Sequence, residues 1–324
     1  MDSKPTRHWA YPWRMTDDPI RVFCGADRSQ QLAYRVLADS IRRHTARDVQ
    51  IRTIDNGDAP STGDPRNAPY TEFSFARFAI PALCGYQGRA VYMDSDMLVF
   101  HDMAELWDTD LGDATIAIEI GSRSAPEQMA HARNRHAAVM LLDCARLDWD
   151  VADIVQRLGR DYDYDALMSI DPVVGPGAMQ ERIPVGWNDL DRYDPDRTRN
   201  LHYTEIRTQP WVSALHPHGG LWVDAVRRML DAGTLQASDV QGEVELGYAR
   251  PSLLIELGLE PHDGVIAPDS LAAIDAQRGF VAHRRLLARF AERKRAIARH
   301  RRDHATGLNA VWQRLRYRYR HGSE

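Results

Sequence analysis

The chain has 324 residues, a net charge of −5, 44% hydrophobic and 27% charged residues. Those proportions belong to a soluble globular protein long enough to bury a sizeable core, and they exclude an intrinsically disordered one. No apolar run approaches the ~20 residues of a membrane-spanning helix, and residues 1–18 lack a signal-peptide core. Cys24, Cys84 and Cys144 are widely spaced in apolar or small-residue surroundings. They read as buried free thiols in a reducing compartment, so the expected location is the cytoplasm. The charge is unevenly spread. Residues 278–324 carry 14 Lys/Arg against three acids, while residues 1–277 carry 27 basic and 43 acidic groups. A basic tail on an acidic body points to an anionic partner.

In chain order, residues 1–19 form an irregular arm rich in Trp, Pro and Asp. Residues 20–25 (IRVFCG) predict a strand, and 31–44 predict an amphipathic helix with Leu32, Val36, Leu37 and Ile41 on one face. A second strand follows at 49–54, and strand–helix–strand alternation implies a largely parallel sheet. Ligands of such sheets bind beyond the carboxyl ends of the strands, where Asp27 sits. Asp27 reads equally well as a helix N-cap. Residues 73–84 (FSFARFAIPALC) predict a buried helix interrupted near Pro81, with Arg77 its lone charge. A buried arginine needs a partner, either an anionic ligand or one of the many acids.

Residues 89–100 (RAVYMDSDMLVF) are the stretch on which the chain turns. Apolar runs flank Asp94-Ser95-Asp96, and a buried strand has no reason to carry two carboxylates. Side chains alternate along a strand, so Asp94 and Asp96 point the same way and emerge together if the strand ends or bends there. Two carboxylates side by side repel unless a cation sits between them, which makes this a D-x-D site for a divalent ion holding a diphosphate. The plain alternative is a solvated turn. Strands are expected at 115–120 and 137–142, helix at 148–158 and 162–170, and a Gly/Pro-rich loop at 171–179.

Residues 201–211 (LHYTEIRTQPW) carry the second chemical stretch. A neutral imidazole at His202 would complete an Asp/Asp/His set around the ion, although an ordinary surface histidine is the default for one of 13. Arg207 and Gln209 lie in a rigid polar loop able to approach phosphates. From residue 224 the pattern is helical, ending in the basic run 277–321, where Tyr317 and Tyr319 alternate with arginines. That run suits an anionic membrane surface, or a solvated helix packed on the acidic body. No nucleic-acid recognition motif accompanies it.

With these residues assembled, the sequence resembles retaining glycosyltransferases of family eight, the glycogenin and bacterial lipooligosaccharide galactosyltransferase group, across residues 22–211. The resemblance implies a GT-A fold: α/β, Rossmann-like, with a mixed, mainly parallel central sheet flanked by helices. It implies three parts: an arm at 1–19, a nucleotide-sugar-binding and catalytic domain at 20–223, and a helical C-terminal region with the basic tail at 224–324. GADRSQQLAY resembles the first nucleotide-binding turn and places Asp27 at the uracil. FSFARFAIP resembles the Y-A-R-L segment and places Arg77 near the diphosphate. RAVYMDSDMLV is the D-x-D strand, with Asp94 and Asp96 on Mn²⁺ or Mg²⁺ and Asp94 also on the ribose. LHYTEIRTQPW resembles the closing H-x-x-G-x-x-K-P-W, with His202 the third protein ligand.

The sequence departs from the family in places. Seven residues, not six, separate His202 from Pro210; Glu205 stands for Gly, and Gln209 for the phosphate-binding Lys, with Arg207 a replacement cation. His136-Ala137-Ala138 stands where the family has N-S-G. YDYDALM lies where D-Q-D-I-L is expected, putting Asp165 nearest the donor sugar as the local candidate nucleophile. The implied activity is hexose transfer from a UDP-sugar to an acceptor hydroxyl of a glycan, lipid-linked glycan or protein. A non-catalytic nucleotide-sugar binder is the alternative. A sugar nucleotidyltransferase would want a Gly-rich phosphate loop that GADRSQQ lacks.

Overall fold

The structure is a computed structural model and describes residues 19–55, 62, 64–71, 73–122, 135–262, 264 and 266–303. Residues 1–18 of the expected arm, the His136 side chain and the tail beyond residue 303, with Tyr317 and Tyr319, lie outside the described residues.

The first unit forms as its pattern demands. Strand β1 (Ile20–Gly25) leads through a 3-10 turn into helix α1 (Gln31–His44), then strand β2 (Val49–Ile54). Leu32, Val36, Leu37 and Ile41 of α1 are all buried, which fixes the helix against the sheet. A short helix α2 (Ile80–Leu83) precedes strand β3 (Arg89–Asp94), strand β4 (Met97–Val99) and helix α3 (Met103–Trp107). Strands β5 (Ile116–Glu119) and β6 (Val139–Asp143) are followed by helices α4 (Val151–Gln156) and α5 (Tyr164–Leu167). Strands β7 (Met179–Ile183), β8 (Asp189–Leu190) and β9 (Asn200–His202) complete the strand set among the described residues.

Six strands make the central sheet in the order β2-β1-β3-β6-β5-β7. Its β1–β2, β1–β3 and β5–β7 pairs are parallel, and its β3–β6 and β5–β6 pairs antiparallel. This is the expected mixed, mainly parallel α/β architecture. Alternate residues of β1 and β3 feed opposite faces: Phe23 and Tyr92 enter one core, Val22, Cys24, Val91 and Met93 the other. The register sets Gly25 of β1 opposite Asp94 of β3, so both strands release their chains at the same edge.

At that edge the run 89–100 does not continue as one strand. It bends at Ser95-Asp96 and resumes as β4 in a second sheet of order β4-β9-β8. The break falls where the carboxylates would otherwise be carried into a packed sheet, at the cost of burying charge.

Three expectations need correction. Residues 73–84 do not form one helix: a 3-10 turn at Ala76–Ala79 leads into α2, with Pro81 accommodated at the helix start, where its missing N–H costs nothing. Strand β7 takes up part of a stretch in which no strand was expected. Its sequence MQERI buries only Met179 and Ile183, so the period-2 signal is absent. Of the three cysteines, Cys24 and Cys144 are buried and free, but Cys84 is only half-buried. A hydrogen bond with Cys144 outweighs burial and draws the Cys84 thiol down to about 7.

The C-terminal region comprises helices α6 (Gly219–Asp231), α7 (Ala237–Glu245), α8 (Ser252–Glu256), α9 (Pro268–Gln277) and α10 (Arg284–Asp303). Residue 223, the expected boundary, falls inside α6. Trp222, Val226 and Met229 of α6 share one core with Leu32 and Val36 of α1 and Leu253 of α8, so these helices are continuous with the sheet domain. Within α10, Arg293 lies 4.1 Å above the Tyr70 ring and donates to the carbonyls of Arg66 (2.5 Å) and Ala68 (3.0 Å). Phe290 meets Tyr70 edge-on at 5.5 Å. Residues 284–303 therefore pack on the body, one of the two alternatives open for the basic run.

Gly25 is required at the point where the strands open. A Cβ there would stand 2.6 Å from Phe73 Cδ2 and 2.8 Å from the Tyr92 hydroxyl. Gly25→Ala is expected to destabilise by about 1–3 kcal/mol through overpacking, read from urea unfolding. An unchanged midpoint would mean that the two rings move aside freely.

Candidate active site

Asp94 ends β3. Its Oδ1 accepts from the Tyr92 hydroxyl at 2.6 Å and lies 3.7 Å from Arg77 Nη2. Arg77 is itself buried: Nη1 donates to the Ala137 carbonyl at 2.9 Å, and its guanidinium sits 4.5 Å above the Tyr92 ring. The lone charge inside the apolar stretch thus has an acidic partner. Burial raises the Asp94 pKa above the ordinary carboxylate range, and the neighbouring Asp96 adds to this, more than Arg77, His202 and Tyr92 offset.

Backbone pairing sets His202 beside Asp96. Strand β9 runs antiparallel to β4 with His202 opposite Met97, and Tyr203 N–H donates to the Asp96 carbonyl at 2.9 Å. His202 Nε2 then stands 3.1 Å from Asp96 Oδ1. On the far side of the ring, Nδ1 is 2.9 Å from Asn188 Oδ1, just before β8. With Asn188 presenting its carbonyl, Nδ1 carries the proton and Nε2 aims its lone pair at a carboxylate. That geometry is repulsive unless a proton or a metal ion lies between. Burial works against charging His202, but Asp96 and Asp94 outweigh it and raise its pKa. The cluster favours positive charge on or beside the His202 ring.

Ligand atoms of Asp94, Asp96 and His202 all lie within 4.8 Å of one another. Two carboxylates and one imidazole fit a divalent ion of the Mg²⁺ or Mn²⁺ type, and offer no thiolate for a softer one.

Two further networks hold the segment after His202. Asp191, at φ +51°, accepts from Thr204 N (2.9 Å), Glu205 N (3.4 Å), His216 Nε2 (3.1 Å) and the Thr204 hydroxyl. His216 Nδ1 accepts from the backbone N–H of His218 at 3.0 Å, so its proton is on Nε2, toward Asp191. Burial pushes the Asp191 pKa up, but its hydrogen bonds from His216, Thr204 and Glu205 prevail and lower it. Arg250, fully buried, donates from Nε to the Pro210 carbonyl (3.0 Å) and from Nη1 to Ser252 Oγ (2.6 Å), and pairs with Glu256. Asp275 in turn accepts from Ser252 N and Oγ, each at 2.7 Å. Helices α8 and α9 thereby clamp the Gln209-Pro210-Trp211 turn.

The remaining expected site residues are distributed as follows. Asp27, beyond β1, caps the 3-10 turn by accepting from Ser29 N (2.8 Å) and Oγ (2.5 Å). Gln209 is buried and donates from Nε2 to Asp96 Oδ2 (2.9 Å) and to the Tyr203 carbonyl (2.8 Å), so its amide hydrogens face the acid and the backbone. Arg207 is exposed on the same turn. Asp165 is exposed in the first turn of α5, outside the Asp94–Asp96–His202 cluster. It lines a cleft of about 580 Å³ with Tyr162, Tyr164, Arg160, Arg293 and Arg301. Sequence reasoning missed Asn188, Asp191, His216, Arg250 and His283. Each finds its partner through the fold, and no local pattern marks it.

Residues 32–138 match the family model described as glycosyl transferase family 8. "Protein CDI" of Arabidopsis thaliana is 29% identical over 219 residues, covering 60% of this chain and 81% of that protein. Among solved structures, the WbbM bifunctional glycosyltransferase is 14% identical with a TM-score of 0.48, covering 66% of this chain and 50% of that one. The galactosyltransferase LgtC, solved with donor and acceptor sugar analogues, is 16% identical with a TM-score of 0.45, covering 69% and 100%. This chain thus spans half the length of WbbM.

Asp191 lends itself to a pH test. Because its folded pKa is depressed, its contribution is present above the ordinary carboxylate value of about 3.9 and is lost as pH falls through the folded value. Asp191→Asn should cost about 1–3 kcal/mol at pH 7, with the gap to wild type closing below about pH 4 in urea titrations. An equal gap at both pH values would show that the carboxylate's charge contributes nothing.

Proposed function

We propose that this chain, whose residues 32–138 match the glycosyl transferase family 8 model, transfers a hexose from a UDP-sugar to an acceptor hydroxyl with retention, in a reaction that depends on Mn²⁺ or Mg²⁺. One observation carries the reading. Asp94, Asp96 and His202 converge at the edge where parallel strands β1 and β3 release their chains, the place where open α/β sheets bind ligands.

Asp94, Asp96 and His202 would hold the ion, which when bound supplies positive charge for the departing diphosphate. The chain's own groups do the rest. Asp27, beyond the neighbouring strand, is assigned to the uracil. Arg77 adds a fixed positive charge beside Asp94, and Arg207, exposed on the turn after His202, is free to swing onto a phosphate. Gln209 keeps one Asp96 oxygen engaged, leaving the other to face His202. Asp165 is assigned to the donor sugar. Retention through internal return, with the leaving diphosphate itself assisting the incoming hydroxyl, would need no protein nucleophile, and the exposure of Asp165 favours that route.

One observation favours a second reading, a nucleotide-sugar binder without turnover. Where the family has a phosphate-binding lysine, Gln209 has its amide hydrogens turned to Asp96 and the Tyr203 carbonyl. That reading predicts UDP binding and no transfer.

The basic C-terminal residues suit an acceptor carried on an anionic membrane. Removing residues 304–324, which hold four arginines, should weaken binding to phosphatidylserine vesicles, read by cosedimentation, by up to about 10³-fold, at ~1 kcal/mol per cation. Unchanged pelleting would remove the membrane from the picture.

UDP release from a panel of UDP-sugars tests the main reading. Turnover of one donor with Mn²⁺ or Mg²⁺ is expected, abolished by EDTA and reduced at least about 100-fold in Asp96→Ala. Asp165→Asn should lose far less than the roughly 10³-fold or more expected of a nucleophile. Tight UDP binding without release from any donor, with acceptors supplied, would favour the binder.

A further inference from the structure

His283 lies far along the chain, in the turn between α9 and α10, yet its ring reaches the site. Its Nε2 is 2.8 Å from Gln209 Oε1, and the ring meets Trp211 edge-on at 6.3 Å. The backbone at His283 is left-handed, with φ +49°. For a non-glycine residue that conformation is costly, and it persists when the surroundings hold it in place.

The direction of the hydrogen bonds follows from the end of the chain of contacts. Asp96 Oδ2 and the Tyr203 carbonyl can only accept, so Gln209 must turn its nitrogen toward them and its oxygen toward His283. With Gln209 so oriented, His283 Nε2 donates to Gln209 Oε1, and the Ile206 backbone carbonyl competes for the ring's proton. Without that donor the Gln209 carbonyl would be buried and unsatisfied, and the flipped amide would set an oxygen against the Asp96 carboxylate.

We propose that His283 is a positioning residue for the Asp94–Asp96–His202 site: by donating to Gln209 it fixes the amide that holds Asp96. This rests on the metal-dependent reading above. It assigns the C-terminal segment a part in the site, since the last link of the chain Asn188–His202–Asp96–Gln209–His283 comes from beyond α9. The consequence is that Asp96 arrives with one oxygen occupied and the other presented beside His202. Outer partners of this kind orient a ligand without touching the ion.

The test is Mn²⁺ binding to the full chain with UDP present, read from the free-ion signal by electron paramagnetic resonance, with unfolding in EDTA recorded for each variant. His283→Ala should weaken Mn²⁺ binding about tenfold. His283→Gln, whose amide N–H can still donate, should stay within about threefold of wild type. Gln209→Met should lose as much as His283→Ala, and the double variant no more than either, because both act through one path. Mn²⁺ affinity of His283→Ala equal to wild type, equal losses in the Ala and Gln variants, or losses that multiply in the double variant would each overturn the inference. A wild-type chain that takes up no Mn²⁺ would instead overturn the metal reading on which it rests.

Discussion

The structure depends on the repulsion between two carboxylates that the chain sets side by side. Asp94 and Asp96 could each be neutralised separately at small cost. With the two placed together beside an imidazole, Asp96 adds to the burial that raises the proton affinity of Asp94, and the two acids raise that of His202. The fold answers with what it can provide from within: the buried Arg77 guanidinium near Asp94, the Tyr92 hydroxyl on the same oxygen, and the Gln209 amide on Asp96. These hydrogen bonds partly compensate the charge, and the remainder would favour a cation at the three residues that could hold one.

The rest of the architecture serves that arrangement. The in-register pair Gly25–Asp94 opens the sheet at one edge, and the bend at Ser95-Asp96 hands the chain to a second sheet. That second sheet is small, yet its β4–β9 pairing brings residue 202 to residue 96 by backbone hydrogen bonds alone. Side-chain networks then hold what the sheet does not. Asp191 gathers the turn at 204–205, and Arg250 fixes the carbonyl of Pro210 from the helical region. A buried arginine with one partner removed leaves an uncompensated charge, so the clamp is stiff because its failure would be expensive.

Much of this was legible in the sequence wherever the signal is local. The β1–α1–β2 unit declares itself through two periodicities. The D-x-D is visible because apolar runs flank it on both sides. Arg77 stood out as a lone charge in an apolar stretch and His202 as the imidazole of the LHYTEIRTQPW stretch, and the structure joins both to the acids. What was hidden depends on long-range pairing. Gln209 reaches Asp96 over 113 positions, and His283 reaches Gln209 over 74. In the basic run His283 is one imidazole among many charges. Strand β7 escaped because its polar middle residues break the alternation that marks a strand, and 73–84 looked helical because its buried aromatics mimic a helical face.

Glutamine at 209, where the resemblance to family eight leads one to expect lysine, ties these threads together. A lysine would set a mobile charge beside the diphosphate; a glutamine cannot, and here its hydrogens are turned to Asp96 and a backbone carbonyl. Under the proposed function, the charge of a diphosphate would then fall to Arg77, to the exposed Arg207 and to a cation held by the acids and His202. On that reading, cation and nucleotide would depend on each other more than if a lysine were present, since each would supply charge that the other lacks. Linkage makes that dependence reciprocal: the nucleotide tightens the cation by the same factor as the cation tightens the nucleotide. If the proposed reaction holds, a positioned amide in place of a fixed charge would exchange standing affinity for coupling between cation and nucleotide.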